Sequence, residues 1–259
     1  MLAFDEYATR FSTIAMTRDE EGILEVRLHT DDGPLRWSAR THQELQHALG
    51  CIADDLENEV VILTGTGDEF SGPAAPTNAP IDFSAEDTFA VFQRILRIVN
   101  NLLRIEVPMI SCINGPALRH AELPLLCDIV LAADTTVIQD TGHFEIGIAP
   151  GDVQSVIMPG LLGWNRGRYF LLTGERIDAQ QALTLGLVNE VMSNDQLADR
   201  ARELALRIRA RTSVVRRATR LMLTERIRRD FADMLGYGVA LQCLGMVDKS
   251  EQLRSGSTS

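Results

Sequence analysis

Lysine is nearly absent from this chain. Lys249 is the only one, so the 25 basic residues are otherwise arginine, and 36 acidic residues leave a net charge of −11. That balance argues against a nucleic-acid partner, whose phosphates would have to be met by a positive surface. Cysteine is sparse as well: Cys51, Cys112, Cys127 and Cys243 lie in apolar segments without C-x-x-C spacing, the pattern of buried free thiols. No window reaches the roughly eighteen apolar residues that a membrane helix needs. Met1 to Glu6 has neither a basic nor an apolar leader region. Together these absences predict a cytoplasmic protein with no membrane partner. Internal repeats and low-complexity tracts are lacking too.

What is present is an ordinary globular composition, 45% hydrophobic and 24% charged over 259 residues, enough for one large core and a smaller appendage. Leu24, Val26 and Leu28 alternate with Glu25 and Arg27, and with residues 12–17 across the Asp19–Gly22 turn they predict a β-hairpin. Beyond Trp37 and Ser38, Leu45, Ala48, Leu49, Ile52 and Leu56 recur at helical spacing. Val60 to Thr64 reads as a buried strand that ends in Gly65-Thr66-Gly67. A long irregular loop with Pro73, Pro76 and Pro80 then runs to Phe83; loops of that length inside compact domains are usually functional or disordered. A helix from Ala85 to Arg104 is expected to turn Phe89, Phe92, Ile95, Leu96, Val99 and Leu103 inward.

Val107 to Ile113 and Asp128 to Ala132 read as core strands, 153–162 and 166–172 as helices, and Leu187 to Val191 as a short strand. From Asp195 to about Met246 the pattern is helical. Eleven arginines between Arg200 and Arg229 recur among apolar positions there, which reads as a solvated or subunit-facing amphipathic face. Alternating helices and apolar strands give an α/β class. The expected organisation is a core domain over 1–194, a helical oligomerisation region over 195–254 and a disordered tail over 255–259.

Chemistry concentrates in two stretches. Between the core strands, Asn114-Gly115-Pro116-Ala117-Leu118-Arg119-His120-Ala121-Glu122-Leu123 places a histidine and a glutamate beyond a strand end, where α/β folds hold ligands. In Gln139-Asp140-Thr141-Gly142-His143 to Pro150-Gly151-Asp152, an apolar segment and a Pro-Gly turn separate His143 from Asp152, so the carboxylate can fold back onto the imidazole and fix its tautomer. Taken alone, each histidine is more often a hydrogen-bonded structural residue, and Trp37 more often a packing anchor. His29, His42 and His47 have no functional context. A zinc site built from His120, Glu122, His143 and Asp152 lacks zinc-type spacing, so no metal is expected.

The blocks Val61-Ile62-Leu63-Thr64-Gly65-Thr66-Gly67, Ile113-Asn114-Gly115-Pro116-Ala117, Cys127-Asp128-Ile129-Val130-Leu131-Ala132, Gly147-Ile148-Ala149-Pro150-Gly151 and Leu172-Thr173-Gly174-Glu175 resemble, in order, the crotonase (enoyl-CoA hydratase) superfamily. The resemblance covers about residues 12 to 250. It implies a ββα-spiral core with a helical C-terminal trimerisation region, assembled as a homotrimer or a dimer of trimers. Where coenzyme A-using relatives carry a glycine triplet ahead of a Glu-Leu pair, this chain has Arg119-His120-Ala121; Glu122 keeps one hydratase glutamate position, and the other falls on His143.

Those departures are similar to the branch of 6-oxocamphor hydrolase and the β-diketone hydrolases, which cleave a carbon–carbon bond without coenzyme A. The resemblance rests on Trp37 in Leu-x-Trp-Ser, His120 ahead of Glu122, His143 in Gln-Asp-x-x-His-Phe, Asp152 in Pro-Gly-Asp, and Asn165-Arg166-Gly167-Arg168-Tyr169-Phe170. The branch's C-terminal glutamate falls on Gln242, which hydrogen-bonds but carries no charge. The resemblance implies His143 as general base, Asp152 orienting it, and His120 and Trp37 as donors to the enolate oxygen. Glu122 is a helper and Gln242 a substrate-side residue. The ligand would be a small cyclic diketone, with no cofactor. The rivals are a coenzyme A thioester hydratase or hydrolase and a non-catalytic scaffold or RNA-binding homologue.

Overall fold

A computed structural model describes residues 2–72 and 84–256. Its centre is a six-stranded sheet in the order β1-β2-β3-β4-β5-β8. After a short helix α1 (Phe4–Ala8), β1 (Ile14–Arg18) and β2 (Ile23–Leu28) form the expected antiparallel hairpin. The strands β3 (Val60–Thr64), β4 (Met109–Ile113), β5 (Ile129–Ala133) and β8 (Glu190–Met192) then add in parallel. Their side chains alternate between two apolar layers, as strands covered on both faces must. Val61 and Leu63 join the larger core beneath α2 (Ala39–Asp54) and α3 (Ala85–Arg104). Val60 and Ile62 meet Leu197, Ala201 and Leu204 of α7 (Leu197–Arg209) on the other face.

Between β4 and α7 lie a four-residue helix α4 (Glu122–Leu125), a small antiparallel pair β6 (Val137–Ile138) and β7 (Ile177–Asp178), and the helices α5 (Val153–Thr173) and α6 (Ala179–Leu185). The last helix, α8 (Ser213–Gly256), returns across α3 and α5. The α/β class and the helical C-terminal region stand as expected.

Several details differ from the sequence expectation, each for a local reason. α2 ends at Asp54, so Leu56 leaves the apolar stripe and is exposed. Phe89 points outward and stacks on Phe92 at 6.2 Å. The two helices expected over 153–162 and 166–172 do form; they meet at a kink inside α5 at Gly163, whose φ of 77° and ψ of 158° only glycine adopts without strain. Leu187 and Val188 are buried ahead of the final strand, which begins at Glu190. The C-terminal helix continues to Gly256, so Ser255 is helical. The segment from Pro73 to Phe83 and residues 257–259, read as a functional loop and a disordered tail, lie outside the described residues.

The arginine-rich face needs a larger correction. Arg216 and Arg220 are buried rather than solvated. Arg220 Nε donates to the Ile105 carbonyl at 2.7 Å, and its Nη1 pairs with Asp128, whose Oδ2 also accepts from the Met109 amide at 2.7 Å. Arg217 Nη2 donates to the carbonyls of Leu56 and Asn58. Guanidinium forks offer several donors at once, which suits them to loop carbonyls at the base of a sheet. The helix is thereby fastened to the N-terminal ends of β4 and β5. Arg220→Met keeps the bulk but leaves Asp128 and the Ile105 carbonyl without their partner. It should lower unfolding free energy by about 3 kcal/mol, the low end for breaking a buried pair. Urea denaturation measures this, and an unchanged midpoint would contradict the stapling role.

Candidate active site

The site forms where two loops beyond the carboxyl ends of β4 and β5 are zipped together. Ala117 N donates to the Val137 carbonyl (2.8 Å), Gln139 N to the Ala117 carbonyl (3.2 Å) and Thr141 N to the Leu118 carbonyl (3.0 Å). This ladder brings the His120 loop beside the His143 loop, with their ring centroids 6.5 Å apart.

His143 is 4% exposed and lies between two carboxylates. Its Nδ1 is 2.9 and 3.0 Å from the two oxygens of Asp140, and its Nε2 is 3.1 Å from Asp152 Oδ2. Asp152 is the N-cap of α5: Oδ1 accepts from the Gln154 amide at 3.1 Å, so Oδ2 is left for the imidazole. Burial opposes a charge on His143, but the Asp152 and Asp140 carboxylates outweigh it and hold the imidazole's pKa well above its ordinary 6.5. Burial would likewise raise Asp152, yet the charge and hydrogen bond of His143 bring it down to about 2. The helix N-terminus adds to the stabilisation of that carboxylate.

Gln242 completes this side, its Nε2 lying 3.2 Å from His143 Nε2. It gets there because α8 crosses the Asp152 turn backbone to backbone: a Cβ on Gly238 would sit 2.2 Å from the Gly151 carbonyl, and one on Gly151 would sit 1.9 Å from the Gly238 carbonyl. Gln242 follows Gly238 by one turn on the same helix face. Its Oε1 has no partner among the described residues. The amide can therefore donate to a neutral Nε2 or, turned over, accept from a protonated one.

The other side is a chain of hydrogen bonds that the sequence reading only partly foresaw. His120 has a left-handed φ of 57°, which directs its ring between Glu122 and α2. Its Nδ1 is 2.7 Å from Glu122 Oε1, and its Nε2 is 3.0 Å from His42 Nε2. His42 Nδ1 donates to the Ser38 carbonyl at 2.7 Å, and Gln154 Nε2 donates to Glu122 Oε2 at 2.7 Å. Burial and the neighbouring His120 push the His42 pKa down to about 3, so His42 is neutral. Trp37 packs on His120 with ring centroids 4.2 Å apart. It is 3% exposed, and its indole Nε1 has no hydrogen-bond partner among the described residues.

The two sides meet at one narrow cleft, which the first reaches through Asp152. Trp37, His42, His120, Glu122 and Asp152 form its polar lining, and Ile95, Val99, Leu102 and Leu123 are among its apolar walls. The structure thus brings together all the expected residues, Trp37, His120, Glu122, His143, Asp152 and Gln242. Asp140, His42 and Gln154 are additions. Asp140 was within reach of sequence reasoning, three residues before His143; His42 was not, since 78 residues separate it from His120. One nitrogen of His120 and carboxylate oxygens of Glu122 and Asp152 lie within 4.8 Å of one another. The described contacts already engage His120 Nδ1, both Glu122 oxygens and both Asp152 oxygens, so a cation would have to displace them.

The comparisons agree with this picture. The profile of the family described as enoyl-CoA hydratase/isomerase matches residues 18–242. The chain is 29% identical over 223 residues to a putative enoyl-CoA hydratase/isomerase, YngF, of Bacillus subtilis, covering 85% of each chain. A β-diketone hydrolase from the cyanobacterium Anabaena sp. PCC 7120, solved with (S)-3-oxocyclohexyl acetic acid bound, superimposes with a TM-score of 0.91 at 40% identity, over 94% of this chain and 97% of that one. An enoyl-CoA hydratase/isomerase from Mycobacterium paratuberculosis shares the fold, with a TM-score of 0.84 at 22% identity over 95% and 98% of the two chains.

The paired charges make stability depend on pH. His143, raised on folding, contributes stability that is full below 6.5 and lost as pH rises through its folded value. Asp152, lowered on folding, contributes stability present above 3.8 and lost as pH falls towards 2. Asp140→Asn keeps an acceptor at Nδ1 but removes a charge, so the alkaline loss should begin at lower pH than in the wild type. Urea denaturation across pH measures both curves; superimposable alkaline limbs would show that Asp140 does not hold the imidazolium.

Proposed function

The chain belongs to the enoyl-CoA hydratase/isomerase family, and within it we propose that this protein is a hydrolase that cleaves a carbon–carbon bond of a cyclic β-diketone, without coenzyme A, to give a keto acid. The observation that carries this reading is the Trp37 indole N–H, buried at the cleft without a partner among the described residues, in the same cleft as Asp152, which pairs with His143. A buried donor left unpaired costs free energy, and a carbonyl oxygen of the substrate supplies the missing acceptor. The Anabaena β-diketone hydrolase supports the same class.

The reaction is a retro-Claisen hydrolysis. One carbonyl oxygen accepts from Trp37, and the second carbonyl lies against Asp152 and His143. Asp140 accepts Nδ1–H, so once the imidazolium is deprotonated its lone pair is on Nε2, which takes a proton from water, and Asp152, 3.1 Å from Nε2, stabilises the imidazolium that re-forms. The resulting hydroxide adds to the second carbonyl. Two flanking carboxylates make Nε2 a stronger base and also leave it protonated to higher pH, so turnover should rise along an alkaline-shifted limb. As the carbon–carbon bond breaks, negative charge grows on the first oxygen. His120 Nε2–H, held by neutral His42 in the resting site, then gains a stronger acceptor in the enolate. An interaction realised mainly in the transition state accelerates the step rather than merely tightening binding.

Coenzyme A thioester chemistry is the second reading, favoured by relatives such as the Syntrophomonas wolfei crotonyl-CoA hydratase, 28% identical over 210 residues. Against it, Arg119-His120-Ala121 fills the place of the glycine triplet that the family resemblance leads one to expect, and His120 holds the left-handed backbone with a bulky ring. We also propose that the chain assembles as a homotrimer or a dimer of trimers. Val214, Met222, Leu223, Tyr237 and Leu244 leave α8 with apolar side chains that are exposed among the described residues and that a partner subunit would cover.

Screening cyclic 1,3-diketones by mass spectrometry should find ring-opened keto acids, while crotonyl-CoA is hydrated negligibly. His143→Ala should lower turnover by about 10²–10⁴-fold, and Asp152→Asn should lower it sharply. Trp37→Phe should cost about 10²–10³-fold in kcat. Near-wild-type cleavage by both His143→Ala and Asp152→Asn would sink the mechanism, as would robust crotonyl-CoA hydration. Sedimentation at micromolar concentration checks the assembly, and a monodisperse monomer would contradict it.

A further inference from the structure

The hydrogen atoms along the chain from Ser38 to Gln154 can be counted. The Ser38 carbonyl only accepts, so His42 Nδ1 carries a proton; His42 is neutral, so its Nε2 accepts, and His120 Nε2 carries the proton between the two rings. Gln154 Nε2 donates to one oxygen of Glu122. What remains is the 2.7 Å contact between His120 Nδ1 and Glu122 Oε1. Two lone pairs would repel there, so this contact holds one proton, on the imidazole or on the carboxyl.

Glu122 also lines the cleft, between hydrogen bonds to both walls. It bonds to His120 on one side, and on the other to Gln154, whose amide N–H binds Asp152. A β-diketone with one carbonyl at Trp37 and the other at Asp152 and His143 therefore places its central carbon, the one that becomes the enolate carbon, over Glu122. We propose that His42 is a positioning residue which, by accepting His120 Nε2–H, makes His120 and Glu122 share a single proton, and that Glu122 gives this proton to the enolate carbon. Base and acid are then separate groups on opposite sides of the central carbon.

The reaction balances. Water loses one proton to His143 Nε2 as its oxygen bonds the attacked carbonyl carbon. The bond to the central carbon breaks, its electron pair passes into the enolate, and a C–H bond forms with the shared proton. The proton on His143 then reloads His120 and Glu122 through solvent. The hydroxyl of water ends on the acyl carbon and its hydrogen on the central carbon, with the protein unchanged.

The inference rests on the diketone reading, and the test has one arm that does not. Nitrogen-15 spectra of the histidines, taken without substrate, should show His42 as the neutral Nδ1–H tautomer and a proton on His120 Nε2. A His42 carrying its proton on Nε2 would overturn the chain. The second arm follows exchange of the ketone α-protons of 3-oxocyclohexyl acetic acid in D2O, the reverse of carbon protonation, which requires no water attack. Glu122→Gln should slow exchange by about 10²-fold or more, and so should His42→Leu. His42→Gln, which keeps an acceptor for His120, should restore most of it, a rescue that loss of packing would not produce. His143→Ala should lose diketone cleavage yet still exchange. Wild-type exchange rates in Glu122→Gln, or loss of exchange in His143→Ala, would overturn the assignment of the acid. A wild-type protein that cleaves no cyclic diketone would overturn the functional reading itself, while the spectra would still decide the hydrogen-bond chain.

Discussion

A charged imidazole buried between two carboxylates is the arrangement on which the rest of this molecule depends. A lone buried charge is too costly to keep, so His143 can sit at 4% exposure only because Asp140 and Asp152 flank it. Each carboxylate in turn needs its own scaffold. Asp140 follows β6 and is held between Gln139 and Thr141, whose amides bond to the Ala117 and Leu118 carbonyls. Asp152 is an N-cap whose second oxygen is free only because the first is used on the Gln154 amide. Moving either scaffold would leave one carboxylate unpaired and strip His143 of one of its two flanking charges, so both scaffolds must hold for the geometry to stay fixed.

The opposite wall is organised by neutrality rather than charge. His42 is kept uncharged by burial and by its neighbour, and it can then act only as an acceptor toward His120. The left-handed backbone at His120 is a local cost, offset by the hydrogen bonds on both ring nitrogens and by the tilted packing of Trp37 against its ring. Gln154 ties the two walls: its backbone N–H binds Asp152 and its side chain binds Glu122. Distances across the cleft are therefore set by one fully buried residue at the start of α5.

The C-terminal helix has two tasks that pull on different parts of its sequence. Near its start, Arg216 and Arg220 are drawn inside to satisfy carbonyls and carboxylates below the sheet. Further along, Gly238 lets the backbone meet Gly151, and Gln242 reaches His143. A glutamine there serves either charge state of the imidazole, whereas a carboxylate would add a third negative charge beside it. The arginine-rich stretch looked like a solvated face because periodicity records spacing and not depth, and a guanidinium can be buried wherever enough carbonyls converge on it.

Periodicity and turn chemistry by themselves determined the β-hairpin, the apolar strands β3, β4 and β5, the helices α2 and α3, and the α/β class, because each of these depends on residues only a few positions apart. The pairing of His143 with Asp152 was legible for the same reason, since only nine positions and a Pro-Gly turn separate them. The outward turn of Phe89, the burial of Arg220, and the bonds of His42 to His120 and of Gln242 to His143 were decided only by tertiary structure. Those contacts join segments 78 and 99 residues apart. Which nitrogen meets which oxygen depends on the crossing of helices over a sheet edge, and no local pattern in the chain encodes that crossing.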